Sequence, residues 1–299
     1  MIRRRLIVTF LFPALALYIG FMIYPAILAV KLSFYETSGF GDQQLWVGLG
    51  NYKRLAADPI FWKSLQNTLL ILIVGGLGVF GFAFLFSVFL NSGIWGKKFF
   101  RAIIFMPNAV AVIAISTFWS FMYTPRYGLL PNFFHLLEDY NIPTFGLDQV
   151  LWTSPENIFF SMMVGLVWVG TGFFTILILA GVDKIPVELV EAGRIEGASD
   201  FQIFRHITLP MISDVVLITI VLWCVQAVKV FEYPYAFGGP NIDTGLYTNA
   251  IYLYIQGFGQ RDPIFALGYA TALGVVMVLL TILIVIFFRI FKPAERIEF

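Results

Sequence analysis

Long uninterrupted runs of apolar residues dominate the chain, and they are long enough to cross a membrane. A bilayer core about 30 Å thick requires about 20 apolar residues in a helix. Backbone groups in hydrocarbon must pair within their own segment, so each run is predicted to be a helix. The predicted spans are 7–30, 69–90, 102–124, 158–182, 215–231 and 264–288. The expected fold class is therefore an all-α integral membrane protein, with six transmembrane helices in a single domain over residues 1–299.

The first and fifth runs each need a separate argument. Arg3, Arg4 and Arg5 before an apolar run also describe a signal peptide, and Ala14-Leu15-Ala16 is a weak cleavage pattern. The first run exceeds the about 7–15 residues of a signal-peptide core, so it is expected to stay in the protein as a membrane helix. The fifth run is short and carries Lys229 near one end, from which a long side chain can reach the interface.

Composition agrees with this interpretation and excludes several classes of protein. Hydrophobic residues make up 59% of the chain and charged residues only 12%, whereas soluble domains carry about 25% charged residues. The net charge of +1 gives no overall field that favours nucleic acid, so no nucleic-acid partner is expected. Cys224 is the single cysteine, which excludes an internal disulfide and a multi-cysteine metal site.

The segments between the predicted spans fall into two groups with different charge. The amino terminus, the 91–101 and 183–214 loops and the carboxyl terminus hold 12 Lys and Arg in 60 residues. The three remaining loops hold 6 in 103 residues. Because cytoplasmic segments carry the excess of Lys and Arg, both termini and the 183–214 loop are expected to lie in the cytoplasm.

The chain offers little material for catalysis. His135 and His206 are predicted to lie on opposite sides of the membrane, and no known zinc or paired-cysteine motif occurs. The stretch Asn91–Lys98 resembles a phosphate-binding loop, but it lacks the first glycine and has Lys98 in place of the Ser or Thr that coordinates magnesium. The chain is therefore not expected to be an enzyme, and any ATP and magnesium would be bound by another chain.

Ion-driven transport is disfavoured but stays open. Five of the predicted spans contain no Asp or Glu. Proton- or sodium-driven carriers usually keep ionisable groups near the midplane of the bilayer to bind the coupling ion. A secondary carrier or channel for a small solute is the alternative function that the sequence leaves.

Local signals in the 183–214 loop predict two short helices. Pro186 suits a first helical position, and Gly197 can adopt the left-handed conformation that ends a helix. Ser199 and Gln202 form a capping-box pattern that starts the second helix. Pro210 cannot donate to a helix and is predicted to end it.

The faces of these two helices indicate a contact surface. The second helix carries Phe201 and Phe204 three positions apart, with Ile207 on the adjacent face. Ala192 and Gly193 give the first helix a face of small residues, which another backbone can approach closely. Such a pair either docks into a groove on a partner protein, with aromatic anchors, or lies among the lipid headgroups.

The loop resembles the EAA motif of the permease subunits of bacterial ABC importers. That motif reads E-A-A, three residues, G, nine residues, I, one residue and L-P. The residues that match it, at the same spacing, are Glu191, Ala192, Gly197, Ile207, Leu209 and Pro210. Gly193 replaces the third position of the motif's first element, one small residue for another.

The likeness continues along most of the chain. The chain resembles the permeases that import carbohydrates and related compounds, and among these it resembles the first permease subunit of the maltose and glycerol-phosphate types. The stretches that carry it occur in family order: Leu11–Ala14, Tyr24-Pro25, Gly48–Tyr52, Phe61-Trp62, Asn67–Leu69, Arg101 with Phe105–Pro107, Tyr127–Leu129, Gly238–Pro240 and Gly268–Ala272.

The resemblance implies a multi-subunit importer in a bacterial or archaeal cell (inner) membrane. It implies a second permease subunit in a heterodimer, two cytoplasmic ATPase subunits that bind ATP and magnesium, and an extracytoplasmic solute-binding protein. It also implies that Glu191 faces the ATPase and that Gly197 makes the turn between the two short helices. The implied mechanism is alternating access, with the solute delivered by the binding protein.

The path of the solute is less visible in the sequence. Gln226, Lys229 and Tyr233 lie near one face at the end of the fifth span, where they would hydrogen-bond and stack on a sugar-like solute. Two alternatives stay open: Lys229 and Tyr233 as interface anchors, and an ion pair of Lys229 with Glu232. The identity of the solute cannot be deduced from these residues.

Overall fold

The computed structural model describes residues 2–39, 44–91, 94–259 and 265–290, and most of these residues are helical. Two short strands, β1 (Tyr35–Glu36) and β2 (Leu45–Trp46), pair antiparallel. The helices in chain order are α1 (Ile2–Tyr18), α2 (Tyr24–Leu32), α3 (Gly50–Ala57), α4 (Pro59–Leu70), α5 (Gly76–Asn91), α6 (Lys97–Phe105), α7 (Val112–Met122), α8 (Leu129–Asp139), α9 (Ile158–Val182), α10 (Val187–Ile195), α11 (Asp200–Ile203), α12 (Leu209–Met211), α13 (Ser213–Val228), α14 (Glu232–Gly238), α15 (Asn249–Phe258) and α16 (Leu267–Ile290).

The expected all-α membrane architecture is confirmed. Within the described ranges, four helices are long and apolar enough to cross a membrane, and the number rises to six if two bent helix pairs each count as one span. The unbroken four are Phe10–Leu32, Pro59–Asn91, Ile158–Val182 and Leu267–Ile290. The helix predicted over 158–182 has the predicted bounds, whereas Ile264, the predicted start of the last span, lies outside the described residues.

The second span begins well before the predicted residue 69. Its helix starts at Pro59 because the Asp58 carboxylate caps it: Oδ1 accepts the amide of Ile60 at 2.8 Å and that of Phe61 at 3.4 Å. Asp at this position satisfies amides that have no partner within the helix. A five-residue π-helical segment, Ile71–Gly75, joins α4 to α5 without interrupting the span.

The third predicted span is not one straight helix, which corrects the expectation of a continuous helix over 102–124. α6 passes into a 3₁₀ turn over Met106–Ala109, and the axis then bends by 95° before α7. Pro107 has no amide hydrogen to continue the helical pattern. Val110 and Ala111 follow it in extended conformation, with ψ of 143° and 132°.

The fifth span is shorter than predicted at one end. α13 stops at Val228, and Lys229 leaves the helical conformation with φ −101° and ψ 10°, so the helix does not reach Phe231. At its other end, the axis bends by 75° between the segment Asp200–Met211 and α13. The change of direction occurs at Ile212, which has ψ of 11°.

The chain divides into two compact units. One comprises Met1–Trp62 and Asn249–Leu280, and the other comprises Lys63–Thr248 and Thr281–Phe299. The expectation of one functional domain over the whole chain stays a prediction.

In the second unit, α9 is the central helix and packs against α5 and α13. The indole Nε1 of Trp223 on α13 donates to the carbonyl of Leu72 at 2.9 Å, within the π-helical segment. A Cβ at Gly76 would lie 2.6 Å from that nitrogen, so any residue other than glycine would clash with the indole. A polar side chain here pairs a backbone carbonyl that lipid cannot satisfy.

In the first unit, Asp58 also binds two buried tyrosines. Its Oδ2 accepts hydrogen bonds from the hydroxyls of Tyr252 on α15 and Tyr269 on α16, the latter at 2.5 Å. Burial raises the pKa of the Asp58 carboxyl, but the tyrosine hydroxyls and the amides of Ile60 and Phe61 stabilise the anion, and the pKa falls below its ordinary value. The ionised carboxylate thus ties the start of α4 to two other helices.

We expect Asp58→Asn to lower the free energy of unfolding by about 1–3 kcal/mol, because two buried hydroxyls lose an ionised acceptor. Unfolding of the purified protein in detergent, followed by tryptophan fluorescence, measures this change. Asp139→Asn is the matched control, since Asp139 is exposed and makes no ion pair within the described ranges.

The effect of Asp58→Asn on the free energy of unfolding is expected to change with pH in one direction. Because the folded-state pKa of Asp58 is lowered from 3.8, its contribution is complete above that ordinary value and is lost as pH falls through the folded-state pKa. The difference between wild type and Asp58→Asn is therefore expected to shrink below about pH 4. A difference that persists unchanged to pH 2 would contradict an ionised acceptor.

Candidate functional site

The 183–214 loop folds into the two predicted helices, α10 and the segment Asp200–Met211, hereafter the loop helix pair. Gly197 has φ +84°. Its amide donates to the Arg194 carbonyl at 3.0 Å, and the amide of Ala198 donates to the Gly193 carbonyl at 3.0 Å. This pair of bonds is the Schellman arrangement that ends helices at a glycine. The predicted turn at Gly197 is confirmed.

The capping box that starts the second helix is also confirmed. The Ser199 amide donates to Oε1 of Gln202 at 2.7 Å, and the Gln202 amide donates to Oγ of Ser199 at 3.3 Å. Each of the two prolines lies one position away from its predicted place in the helix. Pro186 precedes α10 as its N-cap, and the helix passes Pro210 to end at Met211. A π-helical turn over Phe204–Thr208 precedes Pro210 and lets the helix continue to Met211.

Gly193 is where the two helices touch. It is buried, and a Cβ there would lie 3.0 Å from Cδ1 of Ile207 and 3.5 Å from Cγ1 of Ile203. An alanine would force the end of the Ile207 side chain to shift by a few tenths of an ångström. The departure from the EAA pattern at this position thus allows a closer approach of the two helices.

The outer surface of the loop helix pair is apolar and acidic. Phe201 is 68% exposed and Ile195 is 86% exposed, and Glu191 and Ala192 are exposed beside them. Phe204 points elsewhere: it is half-buried, and its ring packs edge-on against Phe84 of α5 at 6.1 Å between centroids. The structure therefore separates the two phenylalanines that the sequence places on one helix. Of the remaining motif residues, Ile207 and Leu209 are half-buried and Pro210 is exposed.

The three predicted solute-path residues lie around one cavity of about 590 Å³ in the second unit. Gln226 and Lys229 come from the end of α13, and Tyr233 comes from α14. Within the described ranges, Lys229 forms no ion pair with Glu232, which lines the same cavity. Their predicted pairing is thus not observed. Aromatic side chains complete the wall: Phe173, Phe174, Trp223 and Phe231.

Tyr233 contributes less polar surface than expected. Its side chain is 2% exposed, and its hydroxyl lies against Gly165, without a hydrogen-bond partner in the described part of the chain. The backbone carbonyl of Tyr233 accepts a hydrogen bond from Oγ of Ser116 on α7 at 2.6 Å. Tyr233 therefore joins α14 to α7 through its backbone and exposes little of its surface to the cavity.

Sequence reasoning missed Asn108, which lines the cavity from a different span. Its side-chain amide donates to the Val169 carbonyl of α9 at 3.1 Å. The amide of Asn108 also lies 2.7 Å from where a Cβ at Gly172 would stand. The Pro107-Asn108 pair in the middle of an apolar run was the available signal, since proline there marks a departure from the helix.

Comparisons with known proteins assign the chain to a family. Residues 80–297 match the family described as binding-protein-dependent transport system inner membrane component. The chain is 31% identical over 97% of its length, and 97% of the other, to a protein of Pyrococcus horikoshii named as a probable ABC transporter permease protein. It is 32% identical, over 77% of its length and 76% of the other, to the trehalose/maltose transport system permease protein MalF of Thermococcus litoralis.

A solved structure has the same fold. The crystal structure of a bacterial ABC transporter involved in the import of the acidic polysaccharide alginate contains a chain that superposes with a TM-score of 0.79 at 23% identity. The likeness covers 96% of this chain and 94% of that one. The chain therefore belongs to the family of inner membrane components of binding-protein-dependent transport systems, the permease subunits of ABC transporters.

Proposed function

We propose that this permease passes a saccharide or a related polyhydroxylated solute into the cell, using ATP hydrolysed by partner subunits. The relative from Thermococcus litoralis is a trehalose/maltose permease, and others are named for lactose and for sulfoquinovosyl glycerol. The cavity supports this solute class because amide, ammonium and carboxylate groups lie beside aromatic rings. Hydroxyl-rich rings need such a combination of hydrogen-bonding groups and stacking faces.

The complete importer on this proposal contains a second permease subunit, two ATPase subunits that bind ATP and magnesium, and an extracytoplasmic solute-binding protein. Both termini and the 183–214 loop of this chain lie in the cytoplasm. The excess of Lys and Arg in these segments supports that orientation. The carboxyl-terminal Lys292 and Arg296 that contribute to this excess lie outside the described residues.

The observation that carries the proposal is the exposed outer surface of the loop helix pair. Phe201 and Ile195 are large apolar side chains that stay largely exposed in the described part of the chain. Two contacts hold their helices in place: Gly193 packs against Ile207 of the second helix, and the ring of Phe204 packs against Phe84 of α5. A rigid helix pair with exposed apolar anchors is suited to dock into a groove on an ATPase subunit.

Alternating access follows from that docking. When ATP binding brings the ATPase subunits together, their grooves carry the loop helix pair with them as a rigid body. The 183–214 loop continues directly into α9 and α13, so the displacement reaches the helices that surround the cavity. Rigid movement of packed helices is a common form of such transitions.

We expect Phe201→Glu to weaken binding of the ATPase subunits by at least about tenfold, the size of effect seen when a central aromatic anchor is lost. The fold should be unaffected, because the Phe201 side chain is largely exposed. Co-purification of the ATPase subunits with tagged permease measures the loss. Tyr127→Glu is the control: it changes an exposed aromatic residue outside the loop.

Two results would argue against docking. Recovery of the ATPase subunits at wild-type level with Phe201→Glu would place the contact elsewhere. Concentrative uptake by the isolated chain in liposomes, with no ATPase present, would favour the secondary carrier.

For the cavity, we expect Gln226→Ala and Lys229→Ala each to lower solute uptake about five- to tenfold, the value of roughly one hydrogen bond. Uptake of labelled trehalose, followed by a panel of mono- and disaccharides, by proteoliposomes that contain the whole importer measures the change. Lys53→Ala is the control, since Lys53 is exposed and does not line the cavity. Unchanged uptake of every saccharide taken up by the wild type would show that the two residues are not part of the path.

A further inference from the structure

At the root of the 183–214 loop, three charged side chains meet. Asp183 follows the last residue of α9, and Arg101 and Lys97 lie on α6. Nη2 of Arg101 donates to Oδ1 and Oδ2 of Asp183 at 3.0 and 2.9 Å, and Nζ of Lys97 lies 3.8 Å from Oδ1. We call these three residues the Asp183 latch. It joins the end of α9 to the bent third span.

In the described part of the chain, two polar contacts join α9 to the segment Lys97–Ala109, and the latch is the first of them. The second is deeper, where the side chain of Asn108 donates to the Val169 carbonyl at 3.1 Å. Near it, Gly172 allows α9 to approach so closely that a Cβ would lie 2.7 Å from the Asn108 amide nitrogen. A segment fastened to α9 near both ends moves with α9.

Beyond this segment, the connection to the rest of the unit is hinge-like. Val110 and Ala111 are extended, and the axis turns by 95° there. α7 is held to α14 by the hydrogen bond from Ser116 to the Tyr233 carbonyl. Two extended residues absorb changes in φ and ψ more readily than a continuous helix, as hinges do.

We propose that the Asp183 latch makes the cytoplasmic half of the third span follow the loop, and so moves the Asn108 wall of the cavity when ATP binds. The inference rests on the proposed docking of the loop helix pair. Arg101 and Asp183 are positioning residues: they contact neither solute nor ATPase, and act by fixing where Lys97–Ala109 lies. α9 receives the displacement through Lys184 and Ile185, and the latch transfers it sideways to α6.

The latch can be tested without unfolding the chain. The side chains of Arg101 and Asp183 are 30% and 45% exposed. Ion pairs at such partly hydrated positions contribute little to overall stability. Reversal of one charge turns attraction into repulsion, and reversal of both restores attraction.

The test uses the assembled importer with its own ATPase subunits. Ala109→Cys in a Cys224→Ser background places a single thiol on the far end of the latched segment, where Ala109 is exposed. The probe is the rate at which a maleimide labels this thiol, with and without ATP and magnesium. We expect ATP to change that rate. Arg101→Asp or Asp183→Arg should reduce the change about five- to tenfold, a typical coupling factor.

The doubly exchanged variant, Arg101→Asp with Asp183→Arg, should regain at least half of the change. Lys98→Asp is the matched control: Lys98 lies on the same helix, is exposed and forms no ion pair in the described part of the chain. Single variants that respond to ATP as the wild type does, or a double variant no better than the singles, would overturn the latch.

Phe201→Glu in the same labelled background separates the latch from the proposed function. If Phe201→Glu abolishes the ATP response while the Arg101 and Asp183 variants keep it, docking holds and the latch is wrong. If no variant alters the response, both the docking and the latch are wrong.

Discussion

Hydrocarbon offers no hydrogen bonds to a peptide group, and this constraint explains how polar side chains are used in this chain. At several irregular places in the helical segments, a side chain from another segment donates a hydrogen bond to a backbone carbonyl. Trp223 bonds Leu72 O beside a π-helical turn, and Asn67 bonds the carbonyls of Gly245 and Tyr247. Thr248 bonds Val230 O just past the end of α13. The polar residues in the apolar segments are thus largely structural.

The apolar pattern was sufficient to predict the helices but not the places where they bend or are interrupted. The length of the apolar run predicted both ends of the helix over 158–182, because no proline or charged residue interrupts that run. It did not predict the corner after Pro107, since hydropathy is the same on both sides of a bend. It did not predict the start at Pro59, because that start depends on the Asp58 cap and the polar residues between 59 and 68 interrupt the apolar run.

The 183–214 loop was predictable in detail because its signals are local. The glycine turn and the capping box each involve residues within five positions of one another. What local signals could not give is orientation relative to the bundle: Phe201 and Phe204 share a helix, yet Phe204 packs against α5 and Phe201 is exposed. Only some of the residues that line the cavity could be predicted from the sequence. Gln226 and Lys229 are neighbours in sequence, whereas Asn108 arrives from another span through the corner.

The corner itself limits what can surround this chain. Ala111 is exposed and Val110 is 46% exposed. The Val110 amide bonds the Pro107 carbonyl and the Ala111 carbonyl bonds the Ile115 amide, but the Val110 carbonyl and the Ala111 amide have no hydrogen-bond partner among the described residues. Acyl chains against them would leave polar backbone without solvation, at a cost of several kcal/mol for each bare group. That side of the molecule must therefore meet either water or another polypeptide. A single copy immersed in lipid on all sides is therefore an unfavourable state.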